Sequence, residues 1–454
     1  MALDTPQPEI ANPQSSVELS EPVTGSVARS RGGTFRALRH HNYRLFFFGQ
    51  MISVIGTWMQ DTALKLLVVR LFPTPEQAAG WLGAVSFIPF LPLIPFALLG
   101  GSLADRFPRR RLVMITQATM MAQAFLLYAF SVSGAITIWH VLLLTTLSGM
   151  ANAVDIPTRQ TFIIEMVGGN RDDLDGAIAL NASIFNLGRA IGPAIAGVVV
   201  ATVGEADAFL LNGLSFIAVL AGLLLMRLPP RALVKRPPKL GAHLKDGFRY
   251  IRNERTILIL LSLIAITAFL AMPFTQLLPL FAKYTLAGSA APLTAFVCGR
   301  IQCVTPEALT LGLLNACFGF GALSGALIVA SRARHRGRKL TIGNIGFPLA
   351  LLLFALSQSI GLSLGLLFLV GIGWVMQTSL TNTLLQLTAP DDVRGRVMSV
   401  YSMLFQGMFR VGSMSSGLIA ASVSPPFAVA LGASLALTYG AVVAARWPRI
   451  RRLA

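Results

Sequence analysis

Six ionisable residues lie in or at the edge of long apolar runs: Asp61, Lys65, Asp155, Arg159, Arg189 and Arg410. A charge at such a position is expensive and usually faces a partner or a water-filled cavity. Asp61 and Lys65 are four apart, which puts them on one helix face a turn from each other. Two readings fit that spacing. Asp61 could take up and release a proton, with Lys65 tuning it or meeting an anionic substrate; or the two could form a simple intrahelical ion pair. Asp155 and Arg159 repeat the spacing around Pro157, in VDIPTRQ. There a structural role at a gate is weighed against proton transfer. Arg189 and Arg410 each need a partner, and Asp155 and Glu165 are candidates for Arg189.

No catalytic set accompanies these residues. The five histidines fall in no metal-ligand spacing, and none joins a serine or cysteine in a hydrolase pattern. No G-x-x-x-x-G-K-[ST] stretch is present to cradle a nucleotide phosphate. The expectation is a chain that is not an enzyme, holds no cofactor or metal, and uses no ATP.

The chain that must position these charges has 454 residues, 54% of them hydrophobic and 12% charged. Soluble domains carry about 25% charge. Apolar stretches of about 18 residues or more recur from end to end, each long enough to cross a bilayer core. Twelve spans are expected, at 44–70, 80–104, 111–132, 136–158, 174–203, 206–227, 256–283, 308–330, 340–359, 362–387, 397–422 and 426–446. The class is an all-α membrane protein.

A formal charge of +18 invites a nucleic-acid reading, but the placement of the bases decides against it. Lys65, Arg189 and Arg410 fall inside spans, and only Arg70, Lys283 and Arg300 fall on one side. The other bases cluster in the tails and the even-numbered connections. That asymmetry is the positive-inside rule and puts both termini in the cytoplasm, with anionic lipid as the contact of the basic loops. Residues 1–43 read as a disordered cytoplasmic tail, polar and rich in Pro and Ser over 1–34, with no cleavable leader. Residues 447–454 form a short basic tail. Cys298 and Cys303 lie in a long outer connection, 286–307, where a disulfide and two free thiols are both open.

The spans divide into two sets of six. Between them, residues 228–255 carry two Pro-Pro pairs and then Leu244, Phe248 and Ile251 at helical spacing among bases, as in an amphipathic surface helix. The halves, 44–227 and 256–446, echo each other. Asp172-Asp173-Leu174-Asp175-Gly176 reappears as Asp391-Asp392-Val393-Arg394-Gly395, and Gly192 and Gly197 are matched by Gly412 and Gly417. Parallel six-span repeats point to a transporter with its substrate site near the midplane, between the halves.

At the end of the second span the sequence reads GGSLADRFPRRR, residues 100–111. Small residues there let another helix approach closely, and a carboxylate beside arginines can meet an approaching helix terminus. In span five, Gly188-Arg189-Ala190-Ile191-Gly192-Pro193-Ala194-Ile195-Ala196-Gly197 puts a proline kink between glycines.

Both stretches resemble signatures of the major facilitator superfamily. The first is similar to its loop motif between helices two and three, and implies that Gly101, Asp105, Arg106, Arg109 and Arg110 form a cytoplasmic latch between the halves. Pro108 departs from the usual glycine, and the counterpart at 331–339 lacks the acid. The second is similar to the kink motif of the antiporters, carried here by Gly188, Gly192, Pro193 and Gly197. GTWMQDTALKLLV, NAVDIPTRQTFIIEMV and FLLNGLSFIAVL extend the resemblance to the branch of enterobactin exporters and macrolide-efflux proteins.

The resemblance implies two pseudo-symmetric six-helix halves in a bacterial inner membrane, working as a monomer. Such a protein exports a hydrophobic or amphipathic small molecule of drug or siderophore class by alternating access, in exchange for protons. A lipid carrier of the same fold and a non-transporting receptor or scaffold stay open as alternatives.

Overall fold

The computed structural model describes residues 34–92, 96, 106–168, 171–227, 251–331 and 335–452. Gly101, Asp105 and almost all of the linker lie outside the described residues, as do residues 1–33. Everything described is helical or connects helices. Among the described residues, ten helices are long and apolar enough to cross a membrane.

In the first half these are span one, His41–Leu71, span three, Arg109–Val132, and span four, Ile138–Met166. Span five, Arg171–Val203, and span six, Glu205–Leu225, complete the half's long helices. In the second half, span seven runs from Arg255 to Leu270, breaks at Ala271–Pro273, and resumes through Thr285. Spans eight, nine and ten are Pro306–Ser331, Arg336–Leu356 and Ile360–Thr388. Span twelve is Pro425–Arg446.

The two remaining crossings fit the expected positions. Span two is described over Pro75–Phe87 and the 3-10 turn Ile88–Phe90. Span eleven, Asp391–Ser422, is 32 residues long but carries Asp391, Asp392, Arg394, Arg396 and Arg410.

Several expected boundaries move. A 3-10 turn, Thr34–Arg39, and the start of span one at His41 lie within the stretch expected as tail up to residue 43. The turn is held because Asp173, at the start of span five, receives Arg36 at 3.2 Å and His40 at 2.8 Å. Span four continues past the expected end at 158, straight through Pro157, to Met166. The connection at 286–307 contains a helix of its own, Ala287–Ile301, and its two cysteines are joined in a disulfide. Residues Pro448–Arg452 of the tail form a 3-10 turn.

The helix starts on the charge-poor side have a local cause. Span two opens on Thr74-Pro75, with Gln77 N–H bonded to Thr74 Oγ1 at 3.3 Å. Span twelve opens on Ser424-Pro425, with Phe427 N–H bonded to Ser424 Oγ at 3.3 Å. A hydroxyl satisfies an orphan backbone donor, and the proline occupies a position whose N–H needs no partner.

Packing follows the repeat. Spans three and four pair as spans nine and ten do, spans three and six as nine and twelve, and spans one and five as seven and eleven. Between the halves the main seams are span two on span eleven and span five on span eight.

The apolar core shows how far those seams extend. One cluster gathers residues from both halves toward the charge-poor side, among them Leu67, Leu82, Ala201, Phe281, Leu311 and Ala420. Toward the basic side the core divides in two. Tyr43, Phe46, Phe162 and Leu223 belong to one cluster in the first half. Ile257, Leu340, Leu385 and Val397 belong to another in the second.

Buried amides tie helices together within each half. Asn212 donates to Gln60 Oε1 at 2.8 Å and Gln60 donates to Gln123 Oε1 at 3.1 Å, joining spans six, one and three. The Gln377 amide donates to Thr267 Oγ1 at 2.6 Å and to Asn344 Oδ1 at 2.9 Å, joining spans ten, seven and nine. Interhelical polar bonds of this kind contribute about 1–2 kcal/mol in model systems. Gln377→Leu is therefore expected to destabilise the folded protein by about that amount, read as a lower thermal midpoint in detergent.

Candidate functional site: the charged midplane between the halves

The kink motif of span five works on two faces. A β-carbon added at Gly192 would lie 2.5 Å from Trp58 Cβ, and one at Gly188 would lie 2.6 Å from Val54 Cγ1, both on span one. A β-carbon at Gly197 would lie 2.5 Å from the Cα of Gly312 on span eight. Pro193 sits between these contacts in a helix that continues on both sides. The second half repeats the arrangement. Gly412 abuts the Phe269 carbonyl of span seven, and a β-carbon at Gly417 would lie 2.9 Å from the Cα of Gly83 on span two. The two halves therefore meet at two glycine-on-glycine crossings, Gly197 with Gly312 and Gly83 with Gly417. Both lie toward the charge-poor ends.

A strap reinforces the first crossing. Just after the disulfide, Val304 N–H donates to Ala201 O at 2.6 Å and Thr305 Oγ1 donates to Val200 O at 2.8 Å. These carbonyls belong to the last turn of span five, where a helix leaves its acceptors unpaired.

The ionisable residues occupy distinct surroundings. Asp155 is fully buried and bound on every side: it pairs with Arg159 and accepts from Thr116 Oγ1 at 2.8 Å and Gln117 Nε2 at 3.1 Å. Arg159 also faces the Phe185 ring at 5.7 Å. That set joins spans three and four and leaves no room for a substrate.

Asp61 and Lys65 pair at 2.7 Å, but the Asp61 side chain is 45% exposed. Arg410 crosses between the halves, donating from Nη1 to Ser86 O at 3.1 Å and Ser86 Oγ at 3.3 Å on span two. Arg189 crosses in the other direction. Its guanidinium lies 4.5 Å over the Trp374 ring of span ten and donates to Asn186 Oδ1 at 2.9 Å. Trp374 in turn packs on Phe318 at 5.4 Å, and Phe318 on Phe274 at 5.6 Å. The site thus contains a half-exposed carboxylate and two arginines that each reach across the seam, beside an aromatic stack packed into the core.

Glu165 and Asp155, the acids that sequence spacing offers to Arg189, are paired elsewhere. Arg109 binds Glu165 at 2.7 Å, and Arg159 binds Asp155. Arg110 donates to Leu224 O at 2.8 Å. Both loop arginines thus bond within the first half in this state, and Arg106 is exposed. Ser86 and Trp374 carried no signal in the sequence, because a serine and a tryptophan in apolar spans are unremarkable. The matching positions of Arg189 and Arg410 in spans five and eleven were the one legible clue.

The architecture shares the fold of solved membrane transporters. It is similar to a bacterial homologue of the human lysosomal transporter Spinster, with TM-score 0.62, 14% identity and coverage of 91% of this chain and 97% of that one. It is likewise similar to a D-xylose-proton symporter, with TM-score 0.60, 13% identity and coverage of 90% and 97%.

The family described as transmembrane secretion effector matches residues 32–452, and the chain belongs to it. It is 25% identical to the staphyloferrin A transporter of Staphylococcus aureus, over 83% of this chain and 89% of that protein. It is 26% identical to the multidrug efflux pump Tap of Mycolicibacterium fortuitum, over 90% and 96%. It is 24% identical to the enterobactin exporter EntS of Shigella boydii, over 85% and 87%. The chain is a multi-pass membrane transporter related in sequence to siderophore and drug efflux proteins, and not an enzyme.

A side chain at Gly197 cannot be accommodated without moving span eight. Gly197→Leu is expected to hold the charge-poor seam open. A cysteine replacing Ala421, which faces Gly80 across the other seam at 3.6 Å from an added β-carbon, gives the readout. With Cys317 replaced by Ser, its labelling by an impermeant maleimide added on the charge-poor side should rise about tenfold.

Proposed function

We propose that this protein exports a hydrophobic or amphipathic small molecule by alternating access, exchanging it for protons carried by Asp61. The observation that carries this reading is the shape of the core: one body across both halves on the charge-poor side, and two separate bodies on the basic side. With the basic side cytoplasmic, as the distribution of Lys and Arg supports, this is a state closed to the outside. In it, Ser183 and Asn186 on span five and Ser399, Ser402 and Gln406 on span eleven are exposed. A cargo drawn from the cytoplasm would load in this state. The names of the relatives support a drug or siderophore cargo and a bacterial inner membrane.

Asp61 is the acid suited to proton exchange, because Asp155 is sealed in its ion pair while Asp61 is reachable. The latch residues Asp105, Arg106, Arg109 and Arg110 would engage the second half in the opposite state, where the cytoplasmic ends approach. Arg109 and Arg110 would then exchange their present partners for new ones.

The test uses energised inverted vesicles and a panel of a catecholate siderophore, a macrolide, a tetracycline and a lipophilic dye. Wild-type protein is expected to accumulate at least one of them in a protonophore-sensitive way. Asp61→Asn is expected to lower that accumulation to background while still inserting in the membrane. Full accumulation by Asp61→Asn would falsify the assignment of the proton site.

A further inference from the structure

We infer that the connection between spans seven and eight is a redox-dependent clasp. It fastens the charge-poor side shut, and the Cys298–Cys303 disulfide sets its grip. The inference rests on the alternating-access reading and adds to it what holds the closed state and what releases it.

The connection belongs to the second half at both ends. It leaves span seven at Thr285, folds into the helix Ala287–Ile301, and enters span eight at Pro306. That helix packs on span eight and on the last turn of span seven. Just beyond it, the chain reaches across to the first half. Val304 N–H donates to Ala201 O at 2.6 Å, Thr305 N–H to the same oxygen at 3.2 Å, and Thr305 Oγ1 to Val200 O at 2.8 Å. Three bonds thus converge on two successive carbonyls in the last turn of span five, where a helix has acceptors to spare. Ala201 lies about one turn beyond Gly197, so the bonds sit beside the Gly197–Gly312 crossing. They must break when spans five and eight part. The Val304 side chain is 70% exposed, so this segment is held by its bonds more than by burial.

The disulfide aims the donors. The connecting helix ends on Gln302, whose N–H donates to Cys298 O at 2.8 Å and whose backbone is left-handed at φ 52°. A residue with a side chain adopts that conformation at a cost. The bond from Cys298 to Cys303 spans the turn and keeps it, which delivers Val304 and Thr305 to span five in register. With the sulfurs apart, the turn relaxes and all three bonds lose their aim together. Opening the bond takes a dithiol: two electrons and two protons pass to the sulfurs, leaving two cysteine thiols, and the dithiol becomes a disulfide. Outside the cytoplasm such reductants are scarce and the clasp stays fastened. A reducing exterior loosens it.

The experiment does not require a known cargo. The reporter is Ala421→Cys with Cys317→Ser, labelled from the charge-poor side with an impermeant maleimide in right-side-out vesicles. Cys298→Ser with Cys303→Ser stands for the reduced clasp without adding thiols. The parent is expected to label slowly, and the disulfide-free pair about tenfold faster. Thr305→Val, with the disulfide present, is expected to label about threefold faster, and Thr305→Ser at the parent rate. In the disulfide-free pair, Thr305→Val is expected to add nothing, because the hydroxyl is already off its target. In the chain without the reporter, reduction by a phosphine is expected to speed deuterium exchange at the Val304 and Thr305 amides about tenfold.

A disulfide-free pair that labels at the parent rate would overturn the inference. So would a Thr305→Val effect of equal size with and without the disulfide, or amide exchange that ignores the phosphine. Fast labelling by the disulfide-free pair, in a chain that accumulates none of the panel compounds, would sink the export reading and leave the clasp standing. Accumulation of a panel compound, with every clasp variant labelling at the parent rate, would do the reverse.

Discussion

The contacts on which the rest of this structure depends are two places where backbone touches backbone between the halves. Gly197 meets Gly312, and Gly417 meets Gly83. In lipid, no hydrophobic driving force presses helices together, so close approach must come from small residues that let whole helix surfaces touch. At each crossing the glycine is an absence that lets its neighbours work: the flanking apolar side chains interlock only because the backbones approach this closely. The shared core on the charge-poor side, the strap from Val304 and Thr305 onto span five, and the reach of Arg410 to Ser86 all require it. The contact is also extensive without being bonded through side chains, so it can be made and broken as a unit.

Charge is handled by two different strategies. Asp155 is buried, and three side chains on two helices satisfy it; removing a buried charge's partner costs several kcal/mol, so this cluster acts as a fixed rivet. Asp61, Arg189 and Arg410 are not satisfied in that way. Asp61 is partly exposed, and each arginine is held by neutral oxygen atoms or an aromatic face belonging in part to the other half. Groups held that way are positioned without being neutralised, and the part of the molecule they hold can leave. The same distinction separates the amide ties inside each half, around Gln60 and Gln377, from the contacts between halves. Rigid halves and a separable seam are thus both visible in the choice of partner.

Much of the fold was legible because membrane crossing imposes a simple rule. Backbone groups in lipid must be satisfied within the helix, so long apolar runs, base-rich connections and a repeat near half the chain length suffice to read the class and its two halves. Boundaries were less legible where a distant contact extends a helix: Asp173 orders Thr34–Arg39, and the segment after Pro157 continues because span four stays packed beyond it. The disulfide was open in the sequence because five residues can or cannot bring two sulfurs together depending on the turn. Here Gln302, in the left-handed region at φ 52°, makes that turn.

For the candidate site, the sequence by itself determined which side chains bear charge inside the membrane and that Arg189 and Arg410 occupy matching places in the repeat. Helical spacing also put Asp61 with Lys65 and Asp155 with Arg159, because residues four apart share a face whatever surrounds them. Only the tertiary structure decided which of those pairs is sealed and which is reachable. It alone gave Glu165 to Arg109 rather than to Arg189, and it alone placed Ser86 and Trp374 against the two arginines. These partners lie on other helices, most of them far away in the chain, and no local periodicity encodes which helix faces which. That choice is made by the packing of small residues against one another, a property of pairs of surfaces that a single stretch of sequence does not contain.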